Sequence, residues 1–326
     1  MSRWEAARRR IARCWAEPLP ERELRAAVLA EIRAVVPAEA YAWVLTDPRT
    51  SVGAAPLAEV PVPADLPAVI RAKYLTRFNR WTGLTGVAAL SAGDPAAGSP
   101  WREVLARYGV RDVASAVFRD RFGCWGFLDL WRTGGTFTTD ELGFLGSLLP
   151  GVTAAQRAAV AATFEPVAAA APGGPVVLLL SDALVPLSRT PGTDAHLRAL
   201  LPTPPDRSPV PAAALNAGAQ LLAVEAGIDA GPPYARLHLV GGLWVGLRAA
   251  RLDPGGVLAV TIEPVTPAER LDVYARAAGL TPRERDVLGR LALGDDTRGT
   301  ARRLGIAENT VHDHLKSIFT KTGARA

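Results

Sequence analysis

The sequence predicts a multidomain protein in which α+β segments precede an all-α C-terminal unit. Three observations lead there. The length of 326 residues allows two or three domains at ~100–200 residues each. Between Glu21 and Val265, short apolar runs of strand length alternate with stretches of helical spacing. From Thr266 onward the strand runs stop, and helix starts and glycine stops repeat at short intervals.

Each element has its own signature. Glu21 to Val36 places Leu24, Val28, Leu29, Ile32, Val35 and Val36 at helical spacing, which predicts an amphipathic helix. Tyr41 to Leu45 is a short strand run stopped by the turn pair Asp47-Pro48. Leu66 to Phe78 returns to helical spacing, and Val113 to Phe118 and Cys124 to Trp131 read as an antiparallel hairpin around Arg119–Gly123. Thr138 and Glu141 have capping-box spacing, with Phe137 and Leu142 where a hydrophobic staple packs. That helix is expected from Thr139 to Ala162, bent at Pro150-Gly151, where one backbone donor is missing.

A Pro/Ala/Gly-rich connector, Pro166 to Pro175, leads to a strand at Val176–Leu180 and a helix at Ala212–Ala226. Tyr234 to Val240 and Leu243 to Leu252 form a hairpin around Gly241-Gly242. Asp253–Gly256 then turns the chain into Val257–Ile262. Thr266-Pro267-Ala268-Glu269 and Thr281-Pro282-Arg283-Glu284 are capping boxes with proline at the first helical position, where a missing N–H costs nothing. The helices they open stop at Gly279 and Gly294. Two more follow, Thr297–Arg303 and Glu308–Lys321, separated by Leu304-Gly305-Ile306 and closed by Gly323. This is helix-turn-helix punctuation.

Composition narrows the function. Two cysteines, Cys14 and Cys124, are too few for a disulfide framework or a cysteine zinc site. Arg8, Arg9, Arg10 and Arg13 interrupt any signal-peptide core. The most apolar stretch, Val167–Leu180, is broken by Pro172, Gly173, Gly174 and Pro175, short of the ~20 apolar residues a membrane span needs. A cytoplasmic protein without membrane partners is expected. The sequence holds no GxSxG, HExxH, P-loop or GxGxxG pattern, so no catalytic residue, cofactor or metal is assigned and the expectation is not an enzyme. Net charge is +5, and Lys73, Lys316 and Lys321 are the only lysines among 37 basic residues. Two of the three therefore fall in the last helix.

On that helix Val311, Leu315, Ile318 and Phe319 make one apolar stripe. The other face carries Asn309, His312, Asp313, Lys316 and Thr320, short polar side chains of the sort that enter a major groove. Leu280-Thr281-Pro282-Arg283-Glu284-Arg285, Ala301-Arg302-Arg303-Leu304-Gly305-Ile306, and Thr310-Val311 followed by His314-Leu315-Lys316, Ile318-Phe319, Lys321 and Gly323 closely resemble the LuxR-type DNA-binding domain. That resemblance implies a recognition helix in the major groove, usually in a homodimer on paired half-sites of double-stranded DNA. It places DNA-facing side chains at His312, Asp313 and Lys316, with Thr310 near phosphate. The candidate DNA-binding set is Asn309, Thr310, His312, Asp313, Lys316, Thr320 and Lys321.

Departures from the family pattern weaken the expected contact. His312 stands where the family usually has Lys or Arg, making one charge conditional on pH. Asp313 faces the groove, where it accepts from cytosine N4 or repels phosphate. Ala307 replaces the usual N-cap serine, a loss of about 0.5–2 kcal/mol. Gly299 and Thr300 occupy positions where a helix former and a core Ile are typical, so that helix should be softer. The chain ends at Ala326, before the fourth helix the family generally uses to dimerise.

Upstream, Arg121-Phe122-Gly123-Cys124-Trp125-Gly126 running into Phe127–Trp131, then the capped long helix, resembles a GAF-like sensor. The middle segment resembles a PAS-like domain by strand–helix–three-strand order alone, which many small α+β domains share. The expected layout is a basic segment at 1–20, a GAF-like domain at 21–165, a PAS-like domain at 166–265, a linker helix at 266–279 and the helix-turn-helix at 280–326. Bland readings are preferred elsewhere: Cys124 as a buried thiol, Trp43, Trp125 and Trp131 as core, His196 and His238 as isolated, and Arg8–Arg10 as a solvated helix face. The functional expectation is a transcriptional regulator whose sensor domains answer a small-molecule or protein effector. The alternative is a sensor or interaction module whose divergent helix-turn-helix no longer binds DNA specifically.

Overall fold

A five-stranded antiparallel sheet organises the first half of the chain, in the order β2-β1-β5-β4-β3. Its strands are β1 (Ala40–Thr46), β2 (Gly53–Glu59), β3 (Val87–Ala89), β4 (Asp112–Asp120) and β5 (Gly123–Arg132). The computed structural model describes residues 2–16, 19–61, 65–93, 99–164, 174–204, 206–239 and 243–324. The expected hairpin is present, with Val113 opposite Trp131 and Phe118 opposite Gly126. Side-chain alternation sends Trp43, Ala114, Ala116, Phe118, Leu128 and Leu130 to one face, against α1 (Arg3–Cys14), α2 (Glu21–Arg33) and α5 (Thr139–Ala162). The other face meets α3 (Leu66–Leu75) and α4 (Pro100–Ala106). Both faces are covered, which explains why β4 and β5 read as near-continuous apolar runs.

The capping box at Thr138 and Glu141 forms in both directions, and α5 continues through Pro150 as one helix. Arg132 binds Glu141 through its two terminal guanidinium nitrogens, at 2.9 and 3.1 Å, which ties the helix start to the last strand of that sheet. On α1, Ala7 and Ile11 are fully buried while Arg8 and Arg9 face solvent, a basic face on a helix docked into the first core.

The second sheet repeats the same order of strands, β7-β6-β10-β9-β8. It comprises β6 (Val176–Leu180), β7 (Pro186–Arg189), β8 (Tyr234–His238), β9 (Trp244–Arg251) and β10 (Leu258–Pro264). Val260 sits between Leu178 and Ala249 at its centre. The Gly241-Gly242 turn and most of the 166–175 connector lie outside the described residues. Two short helices cover the sheet: α6 (Thr193–Leu200) and α7 (Ala212–Glu225).

Helix α7 decides how the two units sit together. Its sequence is mostly small and apolar, with Asn216, Gln220 and Glu225 as its polar residues, and positions 212–220 are all buried. It packs against β9 and β10 of its own sheet and against β2 and α3 of the first. Gly53 makes the approach possible, since a Cβ there would stand 2.9 Å from the Asn216 side chain. One continuous core therefore runs from Val44 and Tyr74 to Leu222 and Ile262. Polar links reinforce it: Arg80 reaches Gln220 at 3.1 Å and Asp229 at 2.5 Å, and Thr50 donates to the Tyr234 carbonyl at 2.6 Å.

The C-terminal unit is helical throughout: α8 (Pro267–Ala277), α9 (Pro282–Ala292), α10 (Thr297–Leu304) and α11 (Glu308–Thr322). Both Thr-Pro-x-Glu capping boxes form. Gly305 and Gly323 adopt left-handed conformations at φ 64 and 68, ending α10 and α11 as expected. Leu280, Val287, Ala301, Val311 and Ile318 form the small core.

Candidate nucleic-acid interface and upstream cavity

The turn between α10 and α11 presents α11 with its apolar stripe inward. Val311 and Ile318 are buried, whereas Asn309, His312, Asp313, Lys316 and Thr320 are exposed on successive turns of one face. Over the eleven positions separating the first from the last, that face is about 16 Å long at ~1.5 Å per residue. Thr310 is exposed beside it and His314 is half-buried. Among the described residues, the contacts of this face are local. His312 Nδ1 lies 3.0 Å from the Glu308 carbonyl, and Thr320 donates to the Lys316 carbonyl at 2.9 Å. The Lys316 ammonium is 4.0 Å from Asp313 Oδ1, a loose and exposed pair that leaves it free to turn toward phosphate.

Lys321 stands apart from this group. Its ammonium is 2.7 Å from both oxygens of Glu284, which also accepts from Ser317 Oγ at 2.6 Å. Burial pushes the Glu284 carboxyl upward, but the donors from Lys321, Ser317 and Thr281 outweigh it and hold the group down at about 2. This cluster fastens α11 to the start of α9. Two of the noted departures have visible consequences. Ala307 gives α11 no side-chain cap. Thr300 is fully buried, and its hydroxyl has no hydrogen-bond partner.

Helix α8 joins this unit to the two sheets through buried charge. Arg236 of β8 donates to Asp47 at 2.6 and 3.0 Å, and to Asp272 of α8 at 2.9 Å. Arg276 of α8 donates to the Phe122 carbonyl, and Arg157 of α5 donates to the Ala277 carbonyl. The Glu269 cap of α8 accepts from Tyr234 and Arg248. Three parts of the chain thus meet at Arg236, a residue that no sequence motif singles out.

A cavity of about 360 Å³ lies upstream, between the first sheet and α3. Lys73 and Asp129 face each other there at 3.3 Å, 2% and 1% exposed. Ser115 donates to Asp129 at 2.6 Å and accepts from Lys73 at 3.0 Å, and the Trp81 indole donates to Asp129 at 3.2 Å. The ammonium lies 3.5 Å from the centroid of Trp101. Desolvation lowers the Lys73 ammonium from its ordinary value, with Asp129 opposing the shift. The scarcity of lysine and the apolar setting of Lys73 in its helix were the available signals. Of the tryptophans weighed from sequence, Trp131 lines this cavity, Trp43 stacks on Phe118 in the core, and Trp125 packs with Phe122 and Ala277. Cys124 is fully buried, and desolvation raises its thiol.

A buried three-helix core with one exposed polar recognition face defines a helix-turn-helix unit of the kind found in transcription regulators. Residues 278–326 match the family described as bacterial regulatory proteins, luxR family, so this unit is a LuxR-type helix-turn-helix domain, as its motifs indicated. No curated protein matches the chain. Among solved structures, it is similar to a bacteriophytochrome from the photosynthetic bacterium R. palustris, with 13% identity and a TM-score of 0.31. The similarity covers 79% of this chain and 62% of that one, and at that score it carries no weight for fold or function. No helix among the described residues is long and apolar enough to cross a membrane.

Proposed function

We propose that the protein is a cytoplasmic DNA-binding transcription regulator in which the two sheet units control the C-terminal helix-turn-helix. In this reading 21–165 is GAF-like, 166–265 PAS-like, 266–279 a linker helix, and 280–326 the reader of duplex DNA, acting as a homodimer. The observation that carries it is the exposed face of α11 on a LuxR-type domain, with Lys316 at its centre. The clamp on α8 supports control from upstream, because a ligand that favours one placement of α8 over another would bias the helix it leads into. In a gel-shift series Lys316→Ala should weaken duplex binding and flatten its log–log salt slope by about one. Unchanged affinity and slope would remove Lys316 from the interface.

A second reading has its own support: a sensor or interaction module without specific DNA binding. The uncapped start of α11, the unpaired Thr300 hydroxyl and Asp313 beside Lys316 favour it. Selection of bound genomic fragments separates the two. Enrichment of a defined sequence sinks the second reading.

A further inference from the structure

The cavity beside Lys73 has features that specify an occupant. Its walls come from both sheet units. Val44 and Trp131 of the first sheet and Ile70 of α3 face Ala212 and Asn216 of α7, with Val210 just before that helix. Its volume of about 360 Å³ falls in the range of small-molecule sites.

The charge inside is already balanced. Lys73 and Asp129 are the only charged side chains lining its interior among the described residues, and each is spent on the other, on Ser115 and on indole rings. A formally charged ligand would find no counter-ion and would lose its hydration without compensation. The other charged lining groups, Arg22 and Glu59, are exposed and mark the mouth.

Three buried polar atoms of lining residues have no hydrogen-bond partner: the indole N–H groups of Trp101 and Trp131, and Asn216 Oδ1. The residues are 1%, 3% and 2% exposed. Buried donors and acceptors are rarely left unpaired, and these three belong to residues of the cavity wall.

The geometry points to a binding site for a neutral, largely apolar small molecule carrying a carbonyl-type acceptor, held between the two sheet units. The acceptor pairs with the indole N–H groups, and an N–H or O–H of the ligand pairs with Asn216. Because Asn216 and Ala212 belong to α7, filling the site draws on both units at once. This deepens the regulatory reading, for which it supplies the input, yet it is tested without DNA.

The probe is prodan, a neutral naphthyl ketone, titrated into the full-length chain and followed by its own emission and by energy transfer from the cavity tryptophans. The comparison probe is dimethylaminonaphthalene sulfonate, similar in ring system but anionic. One saturable, blue-shifted prodan site per chain is expected, with the sulfonate weaker by roughly tenfold or more. Ala58→Trp, at an exposed lining position, should obstruct the mouth without touching the core. Trp101→Phe keeps the ring over Lys73 and removes one donor. Each should weaken prodan by roughly tenfold. No saturable binding, equal binding by Ala58→Trp, or preference for the sulfonate would overturn the site. Saturable binding that leaves the DNA gel shift unaltered sustains the site and refutes the regulatory reading instead.

Discussion

Replacing Arg236 with methionine removes a side chain that joins the first sheet, the second sheet and α8. The guanidinium makes four hydrogen bonds: two to Asp47, one to Asp272 and one to the Glu269 carbonyl. Breaking a buried pair by deleting one partner costs about 3–5 kcal/mol, because the other charge stays behind. Asp47 is fully buried, which argues for the upper end. It also accepts backbone N–H groups from Arg49, Thr50 and Arg236 itself, at 2.8, 3.2 and 3.0 Å. Those donors persist in the variant, and Asp272 keeps Arg276 at 3.1 Å. The loss should therefore lie near about 3 kcal/mol. Urea unfolding of the full chain, read by tryptophan emission, measures it. A double-mutant cycle with Asp47→Asn should show coupling of about 1–3 kcal/mol. Additive single effects, or a loss under about 1 kcal/mol as for an exposed pair, would refute the claim that Arg236 fastens the units together.

Three further outcomes follow from the helix-turn-helix. Thr300→Val keeps the shape of a fully buried side chain and removes an unpaired hydroxyl, so it should stabilise α10 by about 1–2 kcal/mol in hydrogen exchange; destabilisation would mean the hydroxyl is partnered. Ala307→Ser restores a cap that α11 lacks and should raise protection of its first turn by about 1 kcal/mol. Glu284 is held down at about 2 from an ordinary 4.5, so its stabilisation is complete above 4.5 and drains away as the pH falls towards 2. That contribution is at most about 3 kcal/mol. Pepsin cleavage within α9–α11, normalised to an upstream site, should rise across that window in the wild type and stay flat in Glu284→Gln. A parallel pH response in both would assign the acid lability elsewhere.

Elements with strong local signals were legible in the sequence. The capped helices α5, α8 and α9, the β4–β5 hairpin and the glycine stops of α10 and α11 all stand where spacing and capping placed them. The missed elements lack such signals. Strand β2 is Gly-Ala-Ala-Pro-Leu-Ala-Glu at a sheet edge, with no β-branched residue and a proline inside. Strand β7 is exposed along its length, so it has no buried face to alternate. Helices α4 and α6 are seven and eight residues long, too short for a periodic pattern to emerge. The expected run of the first helix to Val36 ends instead at Arg33.

The candidate sites divide in the same way. The polar face of α11 could be read because a single helix carries it. The exception is Lys321, whose engagement with Glu284 spans 37 positions. The meeting of Lys73 with Asp129 spans 56, and that of Arg236 with Asp47 spans 189. No periodicity within one element reports such pairings, since they exist only once the sheets have formed.

Helix α7 also bears on how this chain can be divided. A cut in the 165–175 region follows the visible change in composition, yet it leaves β2 and α3 without the helix that covers them. An excised first unit would show water an apolar wall around Ala54 and Ile70, and such surfaces self-associate. Exchanging either unit for a homologue would require matching small residues along α7 and at Gly53. In this chain the heritable module and the connector need not coincide: the piece that can be swapped intact includes both sheets.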